Sequence, residues 1–203
     1  MSASEDDPEL TQDLVRAARA RGDEASFTAL YARVAPSLHA WARLRVRASL
    51  RARIDADDLV QEICLRAHRA FERYDAERGP FRGWLMGIAN HVLKEALADL
   101  ARGGHRVPAG DSERTRLLEQ IPDDATAISR RVARDEGLAA LIERLGELPE
   151  EERALLVHRG LEERSHAEVA ELLGLDETAI RKRWSRLLER LREAPAFVSL
   201  DLA

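Results

Sequence analysis

Four cations within six residues, Arg181, Lys182, Arg183 and Arg186, stand near the end of a chain that is acidic overall, with 32 Lys and Arg against 37 Asp and Glu. Guanidinium groups pair bidentately with guanine edges, and cations of both kinds neutralise phosphates, so the cluster suits nucleic acid. A second string is anionic: Asp55-Ala56-Asp57-Asp58-Leu59-Val60-Gln61-Glu62. Asp55 can cap a helix there, and once Val60, Ile63 and Cys64 face inward, Asp58, Gln61 and Glu62 form an outward patch of carboxylates and an amide. A merely solvated face is the alternative for either string, and a closer rival for the anionic one. Bond-making chemistry finds little support. Cys64 and His68 are four apart, as two metal ligands on a helix would be, but no second Cys/His pair completes a site. His39, His91, His105, His158 and His166 are scattered, and no Gly-rich phosphate loop or nucleophile elbow occurs. The expectation is a protein without enzymatic activity, metal or cofactor.

The cationic cluster needs a helix to carry it. Ser165 with Glu168 spells a capping box that opens a helix with Val169, Ala170, Leu172 and Leu173 as its apolar residues. Gly174 supplies a turn and Asp176 an N-cap for the next helix, in which Ile180, Trp184, Leu187, Leu188 and Leu191 share a face. The cations fall largely off that face. A short helix, a Gly turn and a second helix buried on one side and cationic on the other fit a helix-turn-helix that enters the major groove; a charged amphipathic hairpin is the alternative.

Helical spacing extends over most of the chain and no convincing strand alternation appears. Phe27, Leu30, Tyr31 and Val34 form one stripe, Val60, Ile63, Cys64, Ala67 and Phe71 another, and Leu138, Leu141, Ile142 and Leu145 a third. Pro36 predicts a break between early helices, Gly79-Pro80 a loop, and Pro149 the first residue of a helix. Residues 103–135, with Gly103, Gly104, Pro108, Gly110 and Pro122 among many charged residues, predict a linker holding at most a helical fragment. The expected fold is all-α: two small helical domains, residues 1–102 and 136–194, on a flexible tether, with a tail at 195–203.

The 203 residues, 45% hydrophobic, allow a sizeable core, and a net charge of −5 disfavours non-specific coating of nucleic acid. A single cysteine, Cys64, permits no intrachain disulfide and suits a reducing compartment. Met1 to Pro8 is polar and acidic, unlike a secretory signal, and no apolar run reaches membrane-spanning length. A cytoplasmic protein without membrane insertion is expected.

Three strings in order carry a resemblance: Asp57-Asp58-Leu59-Val60-Gln61-Glu62, then Phe81-Arg82-Gly83-Trp84-Leu85-Met86-Gly87-Ile88-Ala89-Asn90, then Leu148-Pro149-Glu150 through Arg192. Together they resemble the extracytoplasmic-function group of sigma-70 family factors, the dissociable promoter-specificity subunits of bacterial RNA polymerase, over about residues 27–102 and 138–192. The resemblance implies that Asp58, Gln61 and Glu62 dock on the clamp helices of the largest polymerase subunit, and that the polymerase flap region is also contacted. It implies that the N-terminal domain reads the −10 element: Tyr74 to Phe81 as the loop that captures a flipped base, Phe81 and Trp84 near the melted junction, Arg78 and Arg82 on phosphates, and Asn90, His91 and Lys94 toward the duplex edge. Periodicity with Ile88 favours a core position for Trp84 instead. For the −35 element, Glu177, Thr178, Arg181 and Lys182 take the base-reading positions and Arg183 and Arg186 the phosphates.

The sequence also departs from the family pattern. Lys94 to Arg102 lacks the dense Arg run of many relatives, and Gly87 and Ile88 replace the aromatic pair with which primary factors melt DNA, which implies a weaker phosphate grip and dependence on a well-matched promoter. Asp176-Glu177-Thr178-Ala179 stands where relatives often have Ser, any residue, Gly, Thr, so the preferred sequence is expected to differ. The cluster Arg43, Arg45, Arg47, Arg51 and Arg53 does not form one helical stripe and is left outside the site. Relatives are commonly masked by an anti-sigma factor, although nothing in this sequence identifies one. Two rival readings stand: a conventional helix-turn-helix regulator that binds duplex DNA alone, and a sigma-like interaction module without promoter opening.

Overall fold

The structure is a computed structural model that describes residues 24–46, 50, 52–103, 121, 123–192 and 200. Among the described residues there are eight α-helices: α1 (Glu24–Arg45), α2 (Ala56–Ala70), α3 (Phe81–Ala101), α4 (Asp123–Ala133), α5 (Glu136–Gly146), α6 (Glu150–Leu155), α7 (His166–Leu173) and α8 (Glu177–Leu191). Among the described residues there is no strand.

Helix α1 is the central element. Phe27, Leu30, Tyr31, Val34, Ala35, Leu38, Ala40, Trp41, Ala42 and Leu44 are all buried, so nearly every face of the helix meets another element. This corrects the expectation of a break at Pro36, which lies inside α1. Proline removes one backbone donor and crowds the preceding turn, at a cost of about 3 kcal/mol. Apolar burial at about 0.025 kcal/mol per Å2 over so many side chains offsets that cost.

Around α1, the first unit is closed by α2 and α3. Leu59, Val60, Ile63, Cys64, Leu65 and Ala67 are the inward residues of α2. Phe81, Leu85, Met86, Ala89, Val92 and Leu93 are those of α3. The connection between the two helices is tied by aromatic rings: Tyr74 lies 5.6 Å from Phe81 and 5.1 Å from Trp84 between centroids, and its hydroxyl donates to the Gly79 carbonyl at 2.9 Å. Gly79 has φ 150°, open to glycine and strained for other residues. Burial pushes the Cys64 thiol up to about 12, so it is packed as an apolar group and is no nucleophile.

Within the stretch expected to be a linker, Asp123–Ala133 forms α4, with Ala125 and Ser129 buried. The Tyr31 hydroxyl and the Ser129 hydroxyl share a hydrogen bond of 2.6 Å. The second unit follows from α5. Pro149 is the N-cap of α6, one position before the expected first helical place. A π-helical turn, Leu156–Leu161, continues α6 and delivers Glu162 to the interior.

Glu162 is the polar centre of the packing between the units. Its side chain is 2% exposed; Oε1 accepts from the Trp41 indole at 2.9 Å, and Oε2 pairs with His158 Nδ1 and Arg164 Nε, each at 2.9 Å. Burial by itself raises this carboxyl, but the hydrogen bonds from His158 and Trp41, with Arg164, win and hold it down to about 2, against an ordinary 4.5. A depressed carboxylate contributes stability that is complete above its unfolded pKa and is lost as pH falls through its folded one. Between about pH 4.5 and pH 2 the wild-type chain should therefore lose stability more steeply than Glu162→Gln, measured by urea unfolding followed through the helical circular dichroism. Equal slopes in that window would contradict the assignment.

Candidate nucleic-acid interface

Helix α8 is built as the sequence predicts. Asp176 accepts from the Thr178 amide at 2.8 Å and the Ala179 amide at 3.3 Å, which fixes the first turn. Ser165 and Glu168 make the reciprocal capping box of α7, and Gly174 turns the chain in the left-handed region at φ 65°. Ile180, Trp184 and Leu187 are buried, while Thr178, Arg181, Lys182, Arg183 and Arg186 are exposed. Arg159 stacks over the Trp184 ring at 5.7 Å, securing the helix from behind. Arg181 donates Nε to Glu177 at 3.1 Å, and Arg183 pairs with Glu151 of α6. Exposed pairs of this kind are worth about 0–1 kcal/mol, so a phosphate or a guanine edge can displace them.

In the first unit, Asp55 caps α2 by accepting from the Asp57 and Asp58 amides at 2.8 and 3.0 Å. Asp58 is exposed and Gln61 and Glu62 are half-buried on the outer side. Asp57 turns the other way: the His39 ring at 3.6 Å and then Arg43 at 3.7 Å hold its carboxyl below the usual range against the opposing effect of burial. The sequence reading missed one feature of the patch. Arg66 donates to Glu62 at 2.7 Å and reaches across to Glu95 of α3 at 2.5 Å, and Glu95 also meets His91 at 3.1 Å. An i,i+4 Glu62–Arg66 pair was visible in the sequence, but the link to α3 depends on how the helices pack.

The residues expected at the −10 side are divided by the fold. His91 and Lys94 are exposed on α3, and Arg78 is 88% exposed in the 3-10 turn Ala76–Arg78. Asn90 is half-buried, donating to the Met86 carbonyl at 3.0 Å and accepting from Arg45 at 3.5 Å. Trp84 is half-buried: one side packs on Tyr74 and Phe81, and the ring also lines a shallow apolar groove of about 520 Å3 with Gly83, Gly87, Ile88 and His91.

Two expectations need correction. Phe81 is 1% exposed, its ring enclosed by Phe27, Phe71, Tyr74 and Trp84, so it is a core anchor and offers no surface for base stacking. Arg82 was expected on a phosphate, yet its side chain is 6% exposed. Its Nη2 donates to the carbonyls of Gly160 at 3.4 Å and Leu200 at 3.1 Å, and its Nε lies 3.5 Å from Glu163. Helical periodicity gives no hint of this, because the partners come from the far end of the chain.

The excluded arginine cluster is dispersed: Arg43 faces Asp57, Arg45 stacks on Trp41 at 5.9 Å, Arg53 is exposed, and Arg47 and Arg51 lie outside the described residues. Among the described residues no group of three or more His, Cys, Asp and Glu is arranged to hold a metal.

The chain matches the Sigma-70 region 2 family over residues 30–103 and the Sigma-70, region 4 family over residues 138–191. It is 31% identical to the ECF RNA polymerase sigma factor ShbA of Streptomyces griseus over 172 residues, 84% of this chain and 88% of ShbA. It is 32% identical to the ECF RNA polymerase sigma factor SigM of Mycobacterium tuberculosis over 177 residues, 86% of this chain and 80% of SigM. SigD of the same organism is 29% identical over 184 residues, 89% and 82% of the two chains. No solved structure matches the chain significantly.

The helix that carries Asp58, Gln61 and Glu62 starts at the Asp55 cap. Asp55→Ala should cost about 1 kcal/mol of stability, seen as a lower urea midpoint at unchanged slope. An unchanged midpoint would remove Asp55 from that role.

Proposed function

The chain belongs to the extracytoplasmic-function sigma factors of the sigma-70 family, which direct promoter-specific transcription initiation, and from that premise we propose how its surfaces share the work. Asp58, Gln61 and Glu62 on α2 grip the clamp helices of the polymerase core, the first unit reads and helps open the −10 element, and α8 reads the −35 element. The observation that carries this reading is the separation of charge: an outward anionic patch on a capped helix of the region 2 match, and an exposed cationic face on the second helix of a helix-turn-helix in the region 4 match.

Each surface has a physical task. Clamp docking needs a rigid acidic face, and Arg66 supplies rigidity by holding Glu62 while bracing α3 through Glu95. On the −10 side, the half-open Trp84 ring and its apolar groove suit an unstacked base, for which aromatic stacking supplies about 1–3 kcal/mol. Arg78, His91 and Lys94 are the exposed groups available to phosphate and duplex edge there. On the −35 side, Arg181 and Lys182 reach base edges with Glu177 and Thr178, while Arg183 and Arg186 hold phosphates; a bidentate Arg–guanine pair gives about 1–3 kcal/mol of discrimination.

The polymerase performs the phosphoryl chemistry, and the chain contributes the choice of site. Core polymerase, through its clamp and flap, and promoter DNA are the proposed partners, with an anti-sigma factor as a further one. Action on the transcription machinery places the chain in the cytoplasm; no helix among the described residues is long and apolar enough to cross a membrane.

Purified chain plus core polymerase should yield promoter-specific transcripts that neither yields alone. Gln61→Ala combined with Glu62→Ala should abolish core binding with the helical signal retained, and retained binding would count against the docking patch. Arg181→Ala should relax selectivity at one position of the distal element and weaken its correct site by about 5- to 150-fold, the equivalent of about 1–3 kcal/mol. An unaltered preference in a selection from randomised duplexes would transfer the base-reading role elsewhere.

A further inference from the structure

The cations of α8 hold their carboxylates in two ways. Arg183 and Arg190 reach back to Glu151 and Glu152 of α6. Arg181 pairs within α8, with Glu177 one turn earlier, and the two side chains are 64% and 42% exposed. Arg181 donates from both Nε, at 3.1 Å, and Nη2, and both bonds end on Oε1 of Glu177. This grip uses the side-on edge of the guanidinium. Its end-on edge, Nη1 with the second hydrogen of Nη2, keeps the fork that fits guanine O6 and N7. On the carboxylate, Oε2 is the oxygen left over, an acceptor suited to an exocyclic amine such as cytosine N4.

We infer that Glu177 is a specificity residue of α8: it holds the Arg181 guanidinium side-on, and the joined pair reads a guanine together with an amine-bearing base on the adjacent base pair. The inference rests on the proposed entry of α8 into the −35 element. Spacing confines what the pair can read. Four residues of helix rise about 6 Å, yet the two heads meet within a hydrogen bond. They therefore serve neighbouring base pairs, about 3.4 Å apart, and none more distant. His166 at the start of α7 lies within electrostatic reach of both side chains. Burial, then Arg159 and Arg181, hold its imidazole below the ordinary 6.5, so at neutral pH it adds no competing positive charge.

The pair trades affinity for selectivity. A free arginine carries about 2 kcal/mol of rotamer entropy, and a Glu four residues before it, in the favourable order along a helix, removes part of that before DNA arrives. In water the exposed pair is worth about 0–1 kcal/mol; in a groove from which water is excluded the same charges attract more strongly. Guanine can then add to the pair without displacing it, because the end-on edge is vacant. The carboxylate itself repels the phosphates of every duplex alike. That repulsion is offset only where a base amine meets Oε2, so Glu177 weakens binding to wrong sequences more than to the right one.

Full chain assembled with core polymerase and challenged with promoter libraries randomised across the −35 element tests this. Glu177→Ala should flatten the preference at two adjacent positions, one of them the position that Arg181→Ala flattens. Binding to random-sequence competitor should rise about 2- to 5-fold with the carboxylate gone. Glu177→Gln keeps one oxygen for Arg181 and turns the other group into a donor, so preference at the adjacent position should move from an amine-bearing base to thymine or guanine. The two alanine losses should not multiply: with Glu177 already Ala, the loss caused by Arg181→Ala should shrink about threefold or more. Glu189→Ala, at an exposed carboxylate farther along α8, should change no preference. An unchanged preference at the guanine of Arg181 in Glu177→Ala, losses that multiply independently, or the same flattening from Glu189→Ala overturns the inference. Arg181→Ala relaxing one position while Glu177→Ala changes nothing defeats the coupled reader alone. If neither substitution alters any preference while transcripts stay promoter-specific, the assignment of α8 as the base reader fails as well.

Discussion

Burial of α1 on almost every side is the constraint on which the other elements depend. A helix with Phe27, Leu30, Tyr31, Leu38, Trp41 and Leu44 pointing in several directions cannot rest against one neighbour; it has to be surrounded. Helices α2 and α3 cover part of it, α4 and α5 another part, and the π-helical turn before Glu162 the remainder. This is also why Pro36 is tolerated within it. The same surrounding brings the halves of the chain together, since the helices that finish covering α1 come from beyond residue 121.

Polar groups have been drawn into that packing with partners on both sides. Glu162 reaches across 121 residues of sequence to Trp41, and Arg82 across 118 to Leu200. A carboxylate taken out of water is tolerated only when its lone pairs are filled, and His158, Arg164 and Trp41 fill those of Glu162. At the surface, the Arg66 bridge between Glu62 and Glu95 joins the proposed polymerase-facing helix to the proposed DNA-facing one. The three side chains are 29% to 44% exposed, so the bridge marks where the two helices meet at the surface and adds little energy of its own.

The charge distribution fits a subunit that has little use for DNA by itself. With a net charge of −5, affinity for a uniform polyanion is low, and the cations proposed to meet DNA stand on one face of α8, on the outer side of α3 and at Arg78 in the turn before it. Several of them, Arg181 and Arg183 among them, already hold carboxylates of the same chain. Exchange of those partners for phosphate or a base edge would involve little net energy, so in the proposed reading specificity rests on geometry.

Local rules made much of this protein legible. The Ser165–Glu168 box, the Asp55 and Asp176 caps, the Gly174 turn, the inward faces of α2 and α8 and the outward positions of Asp58, Arg181 and Arg186 all follow from interactions within a few residues, which the order of side chains by itself determines. The break expected at Pro36 and the surface roles expected for Phe81 and Arg82 did not survive in that form, the helical fragment allowed within residues 103–135 is α4, and Glu162 drew no notice. For Arg82 and Glu162 the deciding partners stand 78 to 121 residues away, while Phe81 is enclosed by Phe71, Tyr74 and Trp84 from nearby and by Phe27 from another helix, and periodicity says which side of a helix is apolar without saying what will lie against it. Only the tertiary structure decides whether a charged residue on an inward turn finds a solvent-facing exit or a buried carbonyl, because that depends on long-range packing whose energy is shared among many weak contacts and is written in no single motif.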